Sequence, residues 1–146
     1  MTKSLATLAN LKLIALKPYK ESNGTLVPIT ALKEIPIRLE RIFYVSGVEP
    51  GASRGEHAHI ECSQVLICPH GTCEVICDDG NSQKSFTLSS GSVALYVPPG
   101  IWMKQNYLVP HSLLMVLTDR AYSEADYIRD YDAFLRYRNE TLKSAA

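Results

Sequence analysis

The feature that most constrains the fold is a stretch between two glycines, Gly51 and Gly71, with the sequence GASRGEHAHIECSQVLICPHG. Two histidines stand one residue apart in it, before a short apolar run. Because side chains alternate between the faces of a β-strand, His57 and His59 point the same way. The pair predicts a metal site, an acid/base site, or two residues that serve only packing and hydrogen bonding.

Gln64 is the next polar residue that could join this pair. It follows His59 by five positions, so on a regular strand it would face the opposite side. We expect a bend or bulge between Glu61 and Ser63 to bring Gln64 alongside the two histidines.

The spacing of the glycines, the histidines and Gln64 resembles the first conserved motif of the cupin superfamily, a family of small β-barrels. In metal-binding cupins a glutamate stands at the position of Gln64, and a third histidine comes from a second motif, which resembles residues 91–103 here. Met103 occupies the place of that histidine. An amide and a thioether are poor ligands for zinc, iron, nickel or manganese, so we expect a metal-free site without a cofactor.

Length and composition fit one globular domain over residues 1–146. The formal net charge is zero, with 15 basic and 15 acidic residues, so the chain lacks the electrostatic footprint of a protein that binds nucleic acid or an anionic membrane. An anionic ligand must therefore be held by local arginines. The N-terminus lacks a secretory signal, and no apolar run approaches a membrane span, so we expect a cytoplasmic protein. The four cysteines form no CxxC pair and are predicted to be reduced, half-buried thiols rather than a zinc site.

Short apolar runs at regular intervals predict an all-β sandwich or barrel. The predicted strands span residues 11–16, 25–29, 35–45, 64–68, 72–77, 85–88, 93–97 and 113–117. Pro28 predicts that its strand lies at an edge or ends early, and the pair Asp79-Gly80 predicts a hairpin. Arg41 shares the more apolar face of its strand with Phe43, so it either meets a carboxylate or lines a polar pocket inside the barrel.

The tail changes character. Ser123, with Asp126 three positions later, fits a helix start, and apolar residues recur after it at helical spacing. Residues 123–138 are therefore predicted to be helical, with an aromatic face packed on the barrel.

Three stretches together resemble the sugar 3,4-ketoisomerases, which are WxcM-like cupins that act on dTDP-4-keto-6-deoxyglucose. The stretches are residues 35–44 (IPIRLERIFY), residues 54–66 (RGEHAHIECSQVL), and residues 95–131 with the segments LYV, MVL and EADYIRDY. The resemblance covers residues 19–138. It implies a jelly-roll barrel, metal-free catalysis, and a homodimer that exchanges N-terminal strands.

The resemblance also implies roles. His57 would be the base that moves a proton from C3 to C4 of the sugar through an enediol, and His59 a second acid/base or its orienting partner. Arg41 and Arg54 match the family's arginines and would hold the diphosphate or stabilise enediolate charge. The further candidates for substrate binding are Tyr44, Gln64, Tyr96 and Trp102.

One departure from the family leaves alternatives open. Many members read Trp-His where this chain reads Trp102-Met103. Three explanations for this departure remain open. The missing histidine was never essential, or this enzyme has a different stereochemistry or substrate, or the barrel has lost its activity and only binds. The competing functions are a non-catalytic cupin that binds nucleotide sugars or carbohydrates, and a metal-dependent cupin oxygenase or isomerase that uses His57 and His59.

Overall fold

A computed structural model describes residues 4–145; the first three residues and the last residue of the predicted domain lie outside this range. Within it the chain forms strands joined by short turns and ends in one helix. The strands are β1 (Lys12–Ala15), β2 (Tyr19–Glu21), β3 (Gly24–Leu26), β4 (Arg41–Val45), β5 (Ser53–His59), β6 (Gln64–His70), β7 (Thr72–Asp78), β8 (Gln83–Ser89), β9 (Val93–Val97), β10 (Trp102–Tyr107), β11 (Leu113–Thr118) and β12 (Tyr127–Ile128). The helix α1 spans Tyr131–Ala145, and short 3-10 helices span Leu8–Asn10 and Glu124–Asp126.

Two five-stranded antiparallel sheets form the barrel. The first sheet has the order β1-β9-β6-β11-β4 and the second the order β12-β5-β10-β7-β8, while β2 and β3 form a separate small hairpin. The inner faces of both sheets meet in one apolar core, to which Leu66, Val75, Leu95 and Leu114 contribute. The predicted all-β jelly-roll fold is confirmed.

A second apolar cluster explains why β6 is apolar at nearly every position. Val65 and Ile67 point to the outer face of the first sheet, where Leu16, Ile35 and Ile37 cover them. A strand that is buried on both faces has no polar side to alternate with.

The N-terminal half differs from the prediction in the extent of its strands. β3 ends at Leu26, before Pro28, which confirms that the proline shortens this strand. The predicted strand 35–45 is wrong in its first part, because only Arg41–Val45 joins the sheet. Pro36 has no amide hydrogen to give to a ladder, and Ile35 and Ile37 are buried from a connecting segment instead. In this single chain β1 pairs with β9, so exchange of the segment with a second copy stays a prediction.

The tail begins with the 3-10 helix Glu124–Asp126 and continues as the strand β12. Tyr127 and Ile128 pair with His59 and Ala58 of β5, and the Ile60 amide donates to the Asp126 carbonyl oxygen. The predicted helix start at Ser123 is confirmed only for one turn: Ser123 is the N-cap of the 3-10 helix Glu124–Asp126, although its side chain makes no capping hydrogen bond, and β12 then interrupts the helix predicted over residues 123–138. The helix α1 instead follows Asp130, whose carboxylate accepts a hydrogen bond from the Ala133 amide at 2.9 Å.

The helix is fixed to the barrel by its buried face. Phe134 packs against Trp102, with ring centroids 5.6 Å apart. Arg138 is buried and donates hydrogen bonds to the carbonyl oxygens of Gly100 and Ala6. No helix within residues 4–145 has the length and apolar character that crossing a membrane requires.

The hairpin follows the prediction, whereas the thiols, predicted to be half-buried, are more deeply buried. β7 and β8 pair along their whole length on either side of the turn that contains Asp79 and Gly80. All four cysteines are free and buried.

Candidate active site

The two histidines meet at the end of β5. The ring centroids of His57 and His59 are 5.0 Å apart in an edge-to-face arrangement, which confirms that they point the same way. Both rings also contact the Tyr127 ring, whose centroid lies 4.9 Å from that of His57 and 4.4 Å from that of His59. Tyr127 reaches them because β12 pairs with this end of β5.

His59 forms a hydrogen-bonded pair with Asp126. Its Nδ1 lies 2.8 Å from Oδ2 of Asp126, and the two side chains are only 6% and 13% exposed. The other carboxylate oxygen, Oδ1, accepts a hydrogen bond from the Glu61 amide at 2.6 Å. A carboxylate acceptor keeps the proton of a neutral imidazole on Nδ1 and leaves Nε2 as an acceptor. Nε2 of His59 is buried without a hydrogen-bond partner within residues 4–145.

Both histidines are neutral at pH 7. Burial lowers the pKa of His57 to about 4, and repulsion from a protonated His59 and from Arg129 acts in the same direction. Burial also lowers the pKa of His59, and it outweighs the hydrogen bond to Asp126, which raises that pKa. A neutral imidazole can accept a proton, so the site is equipped for general base catalysis.

A cavity of roughly 230 Å³ opens between the two sheets beside His57. The half-buried Arg41 and the exposed Arg54 and Arg129 lie around it, while Leu66, Leu114 and other buried apolar side chains form its floor. Pockets for drug-sized ligands have volumes of about 300 to 1,000 Å³, so this cavity suits one sugar ring better than a whole nucleotide sugar. The lining contains three arginines and no carboxylate, which favours a ligand with negative charge next to the ring.

Four of the predicted residues line this cavity. They are Arg41, Arg54, His57 and Gln64. Arg41 lies over the rings of Phe43 and Tyr122, with its guanidinium carbon 4.7 Å and 5.4 Å from their centroids. Of the two predictions for Arg41, a carboxylate partner or a place in the lining of a pocket, the structure shows the second.

Gln64 reaches the cavity from the opposite sheet. Residues 60–63 bend between β5 and β6, which places Gln64 at the start of β6. It is 4% exposed. The expected bend is confirmed.

The three predicted aromatic residues, Tyr44, Tyr96 and Trp102, do not line this cavity, and their role in substrate binding stays a prediction. Tyr44 is 69% exposed, because it alternates with the cavity-facing Phe43 and Val45 on β4. Tyr96 packs against the cluster on the outer face of the first sheet. Trp102 packs on α1, in contact with Tyr131 and Phe134.

Met103 pairs with His57 across β5 and β10, and it is 2% exposed within the main core. The thioether thus adds packing beside His57. It does not contribute to the lining of the cavity.

Five residues at the site were missed by the sequence reasoning. Asp126, Tyr127 and Arg129 lie in a segment that carried the family resemblance but was interpreted as helix. Gln105 and Tyr107 lie on β10, which was not predicted as a strand. The alternation of Met103, Gln105 and Tyr107, all three buried, was the available signal for this strand.

One group of potential metal ligands lies at the edge of the site. Donor atoms of His59, Cys62 and Asp126 lie within 4.8 Å of one another, and no other such group occurs in the described part of the chain. Both Asp126 oxygens already accept hydrogen bonds, and burial, aided by nearby carboxylates, raises the pKa of Cys62 to about 12. A thiol that stays protonated is a poor metal ligand, so this donor set suits the His59–Asp126 pair better than an ion.

Comparisons with known proteins agree with this geometry. A family model described as "FdtA: WxcM-like, C-terminal" matches residues 9–139. A TDP-4-oxo-6-deoxy-alpha-D-glucose-3,4-oxoisomerase from Aneurinibacillus thermoaerophilus is 41% identical over 126 residues, which are 86% of this chain and 91% of that protein. QdtA, a sugar 3,4-ketoisomerase from Thermoanaerobacterium thermosaccharolyticum solved with TDP, is 32% identical with a TM-score of 0.88, over 92% of this chain and 98% of its own. A 3,4-ketoisomerase from Helicobacter canadensis is 36% identical with a TM-score of 0.86, over 89% of this chain and 98% of its own. The chain therefore belongs to the WxcM-like family of sugar 3,4-ketoisomerases.

Proposed function

We propose that this protein is a TDP-sugar 3,4-ketoisomerase that converts TDP-4-keto-6-deoxyglucose into its 3-keto isomer. The observation that carries the proposal is a neutral, cavity-facing His57 beside the His59–Asp126 pair, in a barrel 41% identical to a curated enzyme of this activity. The reaction takes place within one sugar ring and needs proton transfer.

The chemistry assigns the proton steps to His57. The C3–H bond breaks and its proton moves to the ring of His57, while the electron pair forms the C3=C4 bond and leaves an enediolate on O4. The proton on O3 then moves to O4, the C3 carbonyl forms, and the proton on His57 returns to C4. Atoms and electrons balance without an external reactant, and one positioned base contributes about 10²- to 10⁴-fold.

The lowered pKa of His57 suits a site that meets an anion. With a pKa of about 4 the free enzyme holds His57 in the form that accepts a proton. The negative charge of a bound diphosphate raises this pKa, which strengthens the base when the substrate is present.

His59 acts as the second group of the site. The hydrogen bond between Nδ1 of His59 and Oδ2 of Asp126, 2.8 Å long, orients the His59 ring and fixes its tautomer. The edge-to-face contact between the two imidazoles then fixes the position of His57, the base. Asp126 is therefore a positioning residue, comparable in role to a carboxylate that orients a catalytic imidazole.

The arginines supply the diphosphate site. Arg41, Arg54 and Arg129 surround the cavity, and planar guanidinium groups can bind phosphate oxygens in pairs. Arg129 is held over the Tyr127 ring, 4.2 Å from its centroid, and is ion-paired with Glu124 at 2.7 Å. This pairing orients the guanidinium before the substrate arrives.

The homodimer and the cytoplasmic location belong to the same proposal. Large apolar side chains are exposed on β1, β4 and the small hairpin, among them Leu13, Leu26, Ile42 and Tyr44, and a second copy of the chain would cover them. The four free thiols and the nucleotide-sugar substrate support a location in the cytoplasm.

The test is an NMR assay with TDP-4-keto-6-deoxyglucose in deuterated water, run on the wild type and on a His57→Asn variant. We expect a 3-keto product, with solvent deuterium at C4 in those turnovers in which the proton on His57 exchanges with solvent before it returns to the sugar. In the variant we expect turnover at least about 100-fold lower, with TDP affinity retained. His70→Asn is the matched control, because His70 is exposed at the end of β6 and does not line the cavity. A wild type that binds TDP but leaves the sugar unchanged would make the protein a binder and would contradict the proposal.

A further inference from the structure

Two buried side-chain atoms lack a hydrogen-bond partner among residues 4–145: Nε2 of His59 and the hydroxyl of Tyr107. His59 belongs to the acid/base site described above. Tyr107 is 0% exposed and ends β10. Buried polar groups in folded proteins nearly always have a partner, so an unpaired hydroxyl at this depth calls for an explanation.

Tyr107 and His57 line the same cavity. Around Tyr107 the floor is apolar, with Val45, Leu66 and Leu114. Burial raises the pKa of Tyr107 to about 12, so its hydroxyl keeps its proton at neutral pH and can donate a hydrogen bond.

The thiols near Tyr107 have hydrogen bonds of their own. The Sγ atoms of Cys68 and Cys73 are 3.7 Å apart, and Cys68 also donates to the His70 carbonyl oxygen at 3.2 Å. The partner of the Tyr107 hydroxyl is therefore to be sought on the cavity side.

The backbone holds Tyr107 firmly in this position. Its amide donates to the Ala52 carbonyl oxygen at 3.0 Å, and its carbonyl oxygen accepts from the Gly51 amide at 2.7 Å. A side chain fixed in this way, with a donor that the fold leaves unused, is preorganised for a ligand.

We propose that the Tyr107 hydroxyl donates a hydrogen bond to an oxygen of the keto sugar, and that Tyr107 is a substrate-binding residue of this cavity. The inference rests on the proposed function and adds a specificity residue to it. The arginines around the cavity bind the diphosphate, so the sugar ring is the part of the ligand that reaches the buried floor. Without an acceptor on the sugar, the hydroxyl remains unpaired, and the enzyme discriminates against such ligands.

The Tyr107→Phe variant tests this because it removes only the hydroxyl. We expect kcat/KM for TDP-4-keto-6-deoxyglucose to fall about tenfold, as for one lost hydrogen bond to substrate. We expect the affinity for TDP to stay unchanged, because TDP carries no keto sugar. The melting temperature of the free protein should stay equal or rise by about 3 °C, because the variant removes an unpaired buried polar group. A hydroxyl with a structural role would lower it. Tyr19→Phe, at a 49% exposed position on the small hairpin, is the matched control and should change none of these quantities.

A binding measurement separates this inference from the proposed function. The affinity of TDP-4-keto-6-deoxyglucose is measured by calorimetry on His57→Asn and on the double variant His57→Asn, Tyr107→Phe, in which no turnover disturbs the titration. About tenfold weaker binding by the double variant supports the role of Tyr107, even if the wild type proves inactive on this sugar. Equal affinities, or a Tyr107→Phe protein with a lower melting temperature and weaker TDP binding, would overturn it.

Discussion

Replacing Asp126 by asparagine tests how much of the activity depends on the orientation of His59. Asp126 accepts two hydrogen bonds, from Nδ1 of His59 at 2.8 Å and from the Glu61 amide at 2.6 Å. An asparagine side chain has one acceptor oxygen. If that oxygen faces the Glu61 amide, the NH₂ group faces His59, and the proton of the imidazole moves to Nε2.

The magnitude follows from the hydrogen bond that is lost. A hydrogen bond to a charged group contributes about 1.5 to 3 kcal/mol. At 6% and 13% exposure the His59–Asp126 pair is shielded from solvent screening, so the full range applies. If the interaction serves the transition state, this energy corresponds to a fall in kcat of about 10- to 150-fold. The same loss in the folded protein lowers the melting temperature by about 4 to 12 °C.

The assay compares kcat, TDP affinity and the His59 tautomer of Asp126→Asn with those of the wild type. A positioning role predicts a lower kcat, unchanged TDP affinity, and a ¹⁵N NMR spectrum in which the His59 proton has moved to Nε2. Asp119→Asn is the matched control, because Asp119 accepts from the Ser63 amide at 2.9 Å in the same region. Wild-type kcat in Asp126→Asn, despite the changed tautomer, would refute the reasoning.

Two further predictions concern the pH dependence and the cavity wall. We expect kcat/KM to rise with pH through a midpoint near 4 and to stay level up to pH 7, because the free enzyme needs neutral His57; a midpoint near 6.5 would contradict the lowered pKa. The same shift means that the unfolded chain binds more protons between these two pH values, so the melting temperature should fall from pH 6.5 to pH 4, and less so in His57→Asn. We also expect Gly55→Ala to lower both kcat/KM and stability, the latter by about 1 to 3 kcal/mol, because Gly55 has φ +100° and a Cβ there would lie 2.1 Å from Oε1 of the cavity-lining Gln105. Gly47→Ala, with φ +74° and no atom within 4 Å of its Cβ, carries the backbone strain alone, so kcat/KM should fall only in Gly55→Ala.

Local patterns in the sequence were sufficient for much of the fold. Alternation along β5 placed His57 and His59 on one face, and the Asp-Gly turn fixed the β7–β8 hairpin. Pro28 ended its strand as expected. These features depend on residues close in sequence, where backbone geometry leaves few choices.

Which side chains of a strand face the cavity and which face solvent was harder to predict from the sequence. Tyr44 and Phe43 are adjacent aromatic residues, and only the packing of the two sheets decides that Phe43 faces the cavity while Tyr44 is exposed. A slip of one residue in the choice of face exchanges such a pair, so the sequence pattern placed Tyr44 rather than Phe43 at the cavity.

The sequence by itself determined the barrel class, the paired histidines and two of the three arginines around the cavity, Arg41 and Arg54. Only the tertiary structure decided what surrounds them. Asp126 is 67 residues from His59 in the chain, and it reaches the imidazole because β12 joins the edge of β5. The same segment carries a plausible local pattern for a helix start, but pairing with β5 satisfies its backbone and buries Tyr127 against both histidines, which a helix at this place would not do. The local preference is realised only as the 3-10 helix Glu124–Asp126, and long-range pairing of the next two residues with β5 completes the site.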